Sequence, residues 1–271
     1  MAGYEGSTET EVRRVERMRL PNGYDVMQLN AGETSLMYRN IVTGRAYLQH
    51  GVTLTPGGTV FDVGANVGVA SLFFHWEAAS RVFAFEPAPR CYQALAANFA
   101  EHRIRGAAYP FALSDRPGRA VLTNYPQITA MTSFHADRGY DEQLTRAFLA
   151  NSGFDTDDIE EMVADRHDSE TLTCELRTFS EVADELDGEP IDLLKINVEK
   201  AEVEVLRGIA ERHWPTIRQV VVQLHDIGGR LHELRQELTE RGYRVGVAQD
   251  PLLTGTDIFE LFAVRPTGGA R

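Results

Sequence analysis

Val60-Phe61-Asp62-Val63-Gly64-Ala65-Asn66-Val67-Gly68-Val69-Ala70-Ser71 decides the fold. Val60 to Val63 is a short apolar run of the kind that forms a buried strand. Gly64 to Gly68 is a glycine-containing loop, and Val69 to Glu77 has the composition of a helix. Downstream, Arg81 to Phe85 reads as a second strand ending at Glu86-Pro87. Pro89 to Glu101 reads as a helix with Tyr92, Leu95, Ala96 and Phe99 on one face, and Ala108 to Leu113 as a third strand. Strand–helix alternation at this spacing predicts an α/β fold with a doubly wound, mostly parallel sheet.

The alternation breaks after residue 113 and then resumes. Arg119 to Thr123 and Leu172 to Leu176 look extended, and Ser180 to Leu186 helical. Between them, residues 137–170 form a largely helical insert carrying Asp155, Asp157, Asp158, Glu160 and Glu161, either a lid over a pocket or a plain solvated face. Ile191 to Val198, Gln219 to Leu224, Tyr243 to Ala248 and Phe259 to Val264 read as strands, with helices at Glu202 to Ile209 and Leu231 to Arg241. The last two strands have no helix between them, which predicts an antiparallel hairpin at the sheet edge. Upstream, Thr8 to Leu20 reads as a short helix stopped by Pro21-Asn22-Gly23. The expected organisation is an N-terminal arm or cap over 1–55, a core domain over 56–266 and a tail over 267–271.

The chain has 271 residues with 27 Lys plus Arg against 40 Asp plus Glu, a formal charge of −13. Nucleic acid and anionic membrane are disfavoured partners for such a field. Cys91 and Cys174 have neither zinc nor disulfide spacing. No run resembles a signal peptide or a membrane span, so a cytoplasmic protein is expected.

The loop after the first core strand lacks the G-x-G-x-x-G of a dinucleotide site, since Asn66 stands where the second glycine would be and Ser71 near the third. Asp62 would repel a diphosphate but suits an amino group, while the helix N-terminus beyond Gly68 suits a carboxylate. Glu86 is placed to accept two ribose hydroxyls. One acid, one helix N-terminus and one ribose acceptor fit S-adenosylmethionine better than NAD. In Ile191-Asp192-Leu193-Leu194-Lys195-Ile196-Asn197-Val198-Glu199, alternate residues share a side, so Lys195, Asn197 and Glu199 face together at the strand's carboxyl end. A buried Lys195 needs a partner, for which Glu199 or Glu202 is the candidate. His225 and Asp226 end the next strand, and His225 is the natural general base.

At these residues the chain resembles the FkbM-type methyltransferases. The resemblance rests on VFDVGANVGVASLFF, AFEPAP with Tyr92 and Asn98 downstream, FALSDRPG and IDLLKINVEKAEVEVLRGI, and spans Tyr38 to Val264. It implies a class I Rossmann-like fold with a seven-stranded sheet and helices on both faces. It implies S-adenosylmethionine as donor, S-adenosylhomocysteine as product, and O-methylation of a small natural-product molecule such as a polyketide or peptide antibiotic intermediate. The acceptor would be free or tethered to an acyl or peptidyl carrier protein; a homodimer is allowed.

By position, Asp62, Gly64, Ala65, Asn66, Gly68 and Ser71 would form the amino-acid end of the cofactor site. Glu86 and Pro87 would lie at the ribose, Ala112, Leu113 and Ser114 at the adenine, and Asn197 near the methionine moiety or the acceptor. The catalytic candidates are His225, Asp226, Glu199 and Lys195; Tyr38, His50, Thr132 and His135 are candidate acceptor-pocket residues. The chain departs from the family pattern at Asn197 (usually Asp), Lys200 (usually Gly) and Gln223 (usually an acid). No metal is expected, although Asn197, Glu199, His225 and Asp226 carry donor atoms that Mg²⁺ accepts. The competing readings are N-methylation of an amine or amide, which would use the same donor site, and a non-catalytic cofactor-binding or carrier-docking module.

Overall fold

The computed structural model describes residues 14–266 apart from Asp165 and Asp187. Its centre is a seven-stranded sheet. The strands are β3 (Thr59–Val63), β4 (Arg81–Phe85), β5 (Arg105–Tyr109), β9 (Leu193–Ile196), β10 (Gln219–His225), β11 (Arg244–Ala248) and β12 (Ile258–Val264), in the order β11-β12-β10-β9-β3-β4-β5. The pairs from β10 to β5 are parallel, and β12 runs antiparallel to both of its neighbours. The expected closing hairpin is therefore present, with its second strand inserted between β10 and β11. All five residues of β3 are buried, as a strand covered on both faces requires.

The helices are α1 (Ala31–Met37), α2 (Val69–Ala78), α3 (Pro89–His102), α4 (Arg138–Asn151), α5 (Thr156–Ala164), α6 (Phe179–Glu185), α7 (Glu202–Arg207) and α8 (Arg230–Glu240). The two faces of the sheet carry separate cores. One holds Val60, Leu72, Phe74 and Leu95; the other holds Phe61, Phe85, Phe179, Ile196, Val222 and Leu238.

Two readings of the sequence need correction. Glu16–Arg19 is a strand, β1, not the end of a helix. It pairs antiparallel with β2 (Asp25–Gln28) around the turn at Pro21-Asn22-Gly23, where Gly23 has φ +84°. That turn is a hairpin bend, and Arg19 closes on Asp25 across it at 2.6 Å. The rest of the expected helix, up to residue 13, lies outside the described residues, as does the tail. The third strand is also two strands: β5 ends before Pro110, which has no N–H to give a ladder, and β6 (Ala112–Ser114) joins a different sheet.

That second sheet has the order β6-β8-β7, with β7 at Gly118–Asn124 and β8 at Glu170–Thr178. The insert is held between β7 and β8. Its acidic residues Asp157, Asp158, Glu160 and Glu161 are exposed, while Ile159 and Val163 pack on Leu149 of α4. The arm is not a separate body. Leu20, Val26, Leu29, Tyr47 and Val52 belong to the first core, and buried Asn98 of α3 bonds both the Met27 backbone and the Val67 carbonyl, tying the arm to the glycine loop.

Candidate functional site

The glycine loop is clamped by the strand ends on either side of it. On one side the N–H groups of Gly64 and Ala65 both donate to the Phe85 carbonyl, at 3.0 Å each. On the other, the Asn197 N–H donates to the Val63 carbonyl at 3.0 Å. Gly64, at φ +74°, passes so close to β9 that a Cβ there would lie 1.8 Å from the Asn197 carbonyl oxygen. Glycine is required on both counts. Gly68, at φ +93°, turns the chain into α2.

Asp62 and Lys195 are register partners in neighbouring parallel strands. Lys195 Nζ donates to Asp62 Oδ1 (2.8 Å), the Gly64 carbonyl (2.7 Å) and the Val63 carbonyl (3.3 Å). An ammonium has three hydrogens, and all three are placed. Lys195 therefore pairs with Asp62, not with Glu199 or Glu202. Burial alone would lower its pKa, but Asp62, together with Tyr47 and Glu86, more than offsets this and holds it charged. The other oxygen of Asp62 accepts Ser71 Oγ at 2.6 Å, so Asp62 and Ser71 organise the loop from beneath, both fully buried.

Glu86 directly follows β4, with one oxygen accepting Asn66 N–H and the other Ala88 N–H, each at 2.8 Å. Burial pushes its carboxyl up to about 7, against the pull of those two N–H groups. Asn66 itself sits at φ +51°, and its side-chain amide reaches Thr129 Oγ1, which donates to Glu33.

A cavity of about 870 Å³ opens over this loop. Gly64, Ala65, Asn66, Glu86, Pro87, Ala112, Leu113 and Asn197 form the part of its wall around the loop. Asp62, Gly68, Ser71 and Ser114 are behind the wall and do not line it. The wall contributed by the insert is mostly apolar, with Leu144, Phe148 and Leu149 of α4, Met162 of α5, and Met131 and Phe134, beside Thr145, Ser152 and Arg166. Lys195, Glu199, Gln223, Asp250 and Glu260 also line it, with Tyr47 from the arm. The residues fit the chemistry of S-adenosylmethionine, with the buried Glu86 carboxyl able to accept hydroxyls and glycine-containing backbone beside it.

Several expected site residues lie elsewhere. His225 does not line the cavity; it is fully buried, with Nδ1 2.9 Å from Glu202 Oε1 and Nε2 3.3 Å from Glu199 Oε2. Burial opposes its charge, but the two glutamates raise it to about 10. It is an imidazolium at neutral pH, with no lone pair for a substrate proton, so the general-base expectation for His225 fails on both access and charge. Asp226 accepts the Leu231 N–H at 2.8 Å and fastens the start of α8. Of the four expected acceptor-pocket residues, only Thr132 lines the cavity. Tyr38 packs against the core, His50 stacks on Phe262, and His135 pairs with Glu204 on the surface. Glu260, Asp250 and Tyr47 were missed, since each enters from a segment with no motif. Among the described residues, no group of three or more His, Cys, Asp or Glu side chains is arranged to hold a metal ion. None of their helices is long and apolar enough to cross a membrane.

The family model described as "Methyltransferase FkbM domain" matches residues 62–245. The chain is 44 % identical over 256 residues to the "31-O-demethyl-FK506 methyltransferase FkbM" of Streptomyces tacrolimicus, covering 94 % of this chain and 98 % of that one. It is 35 % identical over 261 residues to the "AMB antimetabolite synthetase AmbE" of Pseudomonas aeruginosa, covering 91 % of this chain but 12 % of that protein. Among solved structures, a methyltransferase FkbM from Methylobacillus flagellatus superposes with a TM-score of 0.50 at 13 % identity, over 79 % of this chain and 45 % of that one. That last likeness concerns the fold.

Proposed function

The chain belongs to the FkbM family of S-adenosylmethionine-dependent methyltransferases, and from that premise we propose that it methylates a hydroxyl of a small natural-product molecule. The observation that carries this reading is the single cavity running from the glycine loop and Glu86 to an apolar chamber under α4. The donor end suits a nucleoside, and the chamber suits a bulky, weakly polar acceptor. The family's donor supplies an activated methyl group, so the protein's task is alignment and removal of one proton.

In this reading the backbone of Gly64, Ala65 and Asn66 borders the amino-acid end of the donor, Glu86 accepts the ribose hydroxyls, and Ala112 and Leu113 flank the adenine. Asp62, Ser71 and Lys195 act through the loop they brace. Two relatives support the substrate class: one is named for 31-O-demethyl-FK506 and one for an antimetabolite synthetase. The second keeps a carrier-tethered acceptor in view.

The test has two parts. Calorimetry with S-adenosylhomocysteine should give a micromolar dissociation constant, of order −8 kcal/mol. Incubation with S-adenosylmethionine and 31-O-demethyl-FK506, or a series of secondary alcohols of rising size, should add one methyl group by mass. No binding of the homocysteine product at millimolar levels would sink the donor assignment. Binding with no alcohol methylated would sink the O-methyl assignment alone.

A further inference from the structure

The cavity between donor loop and apolar chamber contains no histidine among the described residues, which leaves the proton of an acceptor hydroxyl to another group. The titratable side chains that line it are Glu33, Glu86, Glu199, Asp250, Glu260, Tyr47 and Lys195, plus Arg39 and Arg166, which are permanently charged and cannot accept a proton. Lys195 has all three hydrogens engaged. Burial raises the Tyr47 phenol, so it stays protonated. Glu86 belongs to the donor end and holds two backbone N–H groups. Glu33 accepts Thr129 Oγ1 and Ala130 N–H beside the same loop. Asp250 accepts Leu252 N–H at 2.8 Å, capping the turn Pro251–Leu253. Glu199 Oε2 faces the His225 imidazolium.

Set against Glu33 and Glu86 at the loop, Asp250 in its turn and Glu199 beside His225, Glu260 pairs with no cation among the described residues and caps no turn. It sits in β12 directly across the antiparallel ladder from Gln223 of β10, whose amide donates to Glu260 Oε1 at 3.4 Å. Its other partners include its own backbone N–H and that of Asp250, with the Asp250 carboxylate and the Tyr47 phenol nearby. Burial pushes the carboxyl above the ordinary glutamate range, and nearby Asp250 adds to this. A base raised toward neutrality is a better proton acceptor than one tied to a cation.

We propose that Glu260 is the proton acceptor for the acceptor hydroxyl, with Gln223 holding its carboxylate toward the cavity. This rests on the O-methylation reading above. In the step, the acceptor oxygen bonds to the methyl carbon, the C–S electron pair stays on sulfur to leave a neutral thioether, and the hydroxyl proton passes to Glu260. The products are a methyl ether and a protonated carboxyl, which returns its proton to solvent.

The test uses the full chain, S-adenosylmethionine, 31-O-demethyl-FK506 and the same alcohol series. Glu260→Gln should lower kcat at least 100-fold while S-adenosylhomocysteine affinity stays within threefold of the wild type, which also reports that the variant is folded. Glu260→Ala should be equally slow and regain activity with added formate, a small carboxylate able to occupy the vacated space; a purely structural loss would show no rescue. Glu260→Gln retaining more than a third of kcat, or absence of formate rescue, overturns the assignment while leaving O-methylation intact. A wild type that binds S-adenosylhomocysteine but methylates no alcohol removes the O-methyl reading and the proton acceptor with it.

Discussion

Lys200 Nζ lies 2.6 Å from Asp141 Oδ1, with both side chains almost fully withdrawn from solvent. Lys200 follows β9 at the rim of the sheet, and Asp141 is in the first turn of α4. The pair therefore bolts the apolar wall of the cavity to the site. Tyr125 donates to the other Asp141 oxygen at 2.8 Å. Lys200 makes this contact from a left-handed conformation, φ +74°, directly after Glu199 at φ +47°.

Two effects oppose each other in Lys200→Gly. Relief of the backbone would stabilise by about 1–3 kcal/mol, while stranding Asp141 costs about 3–5 kcal/mol. The net expectation is a loss of about 2 kcal/mol in urea unfolding, and faster amide exchange through residues 138–151. Adding Asp141→Asn should recover much of the loss, because no charge is then stranded.

The Glu202–His225–Glu199 cluster predicts a pH dependence. His225 moves from about 6.5 in the unfolded chain to about 10 in the folded one. A raised folded value means that its stabilisation is complete below pH 6.5, declines as pH rises, and is gone above about 10. Unfolding measured from pH 6 to 10 should show this decline, and His225→Gln should flatten it, with the greater loss at the acidic end. An unchanged slope in the variant would place the dependence elsewhere.

Glu86 predicts a pH dependence of donor binding. Ribose hydroxyls donate best to a carboxylate, and burial holds this carboxyl at about 7. S-adenosylhomocysteine affinity should rise between pH 6 and 8 and level off above. Glu86→Gln should bind at least tenfold more weakly at pH 8 and lose the trend, as calorimetry across that range would report.

Gly64→Ala places a methyl group 1.8 Å from the Asn197 carbonyl at a positive φ. Neither obstacle yields without moving the loop off β9. The variant should lose donor affinity at least 30-fold and melt several degrees lower, whereas a change confined to stability would show that the loop tolerates displacement.

How much of this was legible in the sequence depends on distance along the chain. The segment from Val60 to Glu86 carries its own pattern, and its strands, loop and terminal acid lie where alternation and glycine spacing put them. Asp62 was recognised as important, but its partner Lys195 is 133 residues away, and periodicity states which residues face together, not which strands are neighbours. His225 was misread for the same reason. A histidine at a strand end suggests a base, yet its chemistry is set by Glu199 and Glu202, whose approach depends on the bend at Glu199-Lys200. The β1–β2 hairpin was hidden by a charged run that suits a helix equally well; only the partner strand decides. Glu260 was invisible because an acid in a strand reads as its solvent face, and here that face is a cavity.

Both ends of the cavity are closed by contacts between residues far apart in the chain. Asn40 meets Asp250 across 210 residues, Tyr140 meets Asp257 across 117, and Asn151 reaches Leu252 and Thr254 across 101 and 103. The glycine loop is no more local, since Lys195 meets Asp62 across 133 residues and the Gly64 carbonyl across 131. Long-range closures are entropically late events. Neither end of the cavity should therefore be complete in a nascent chain until β9 to β12 have been made and docked onto the first half.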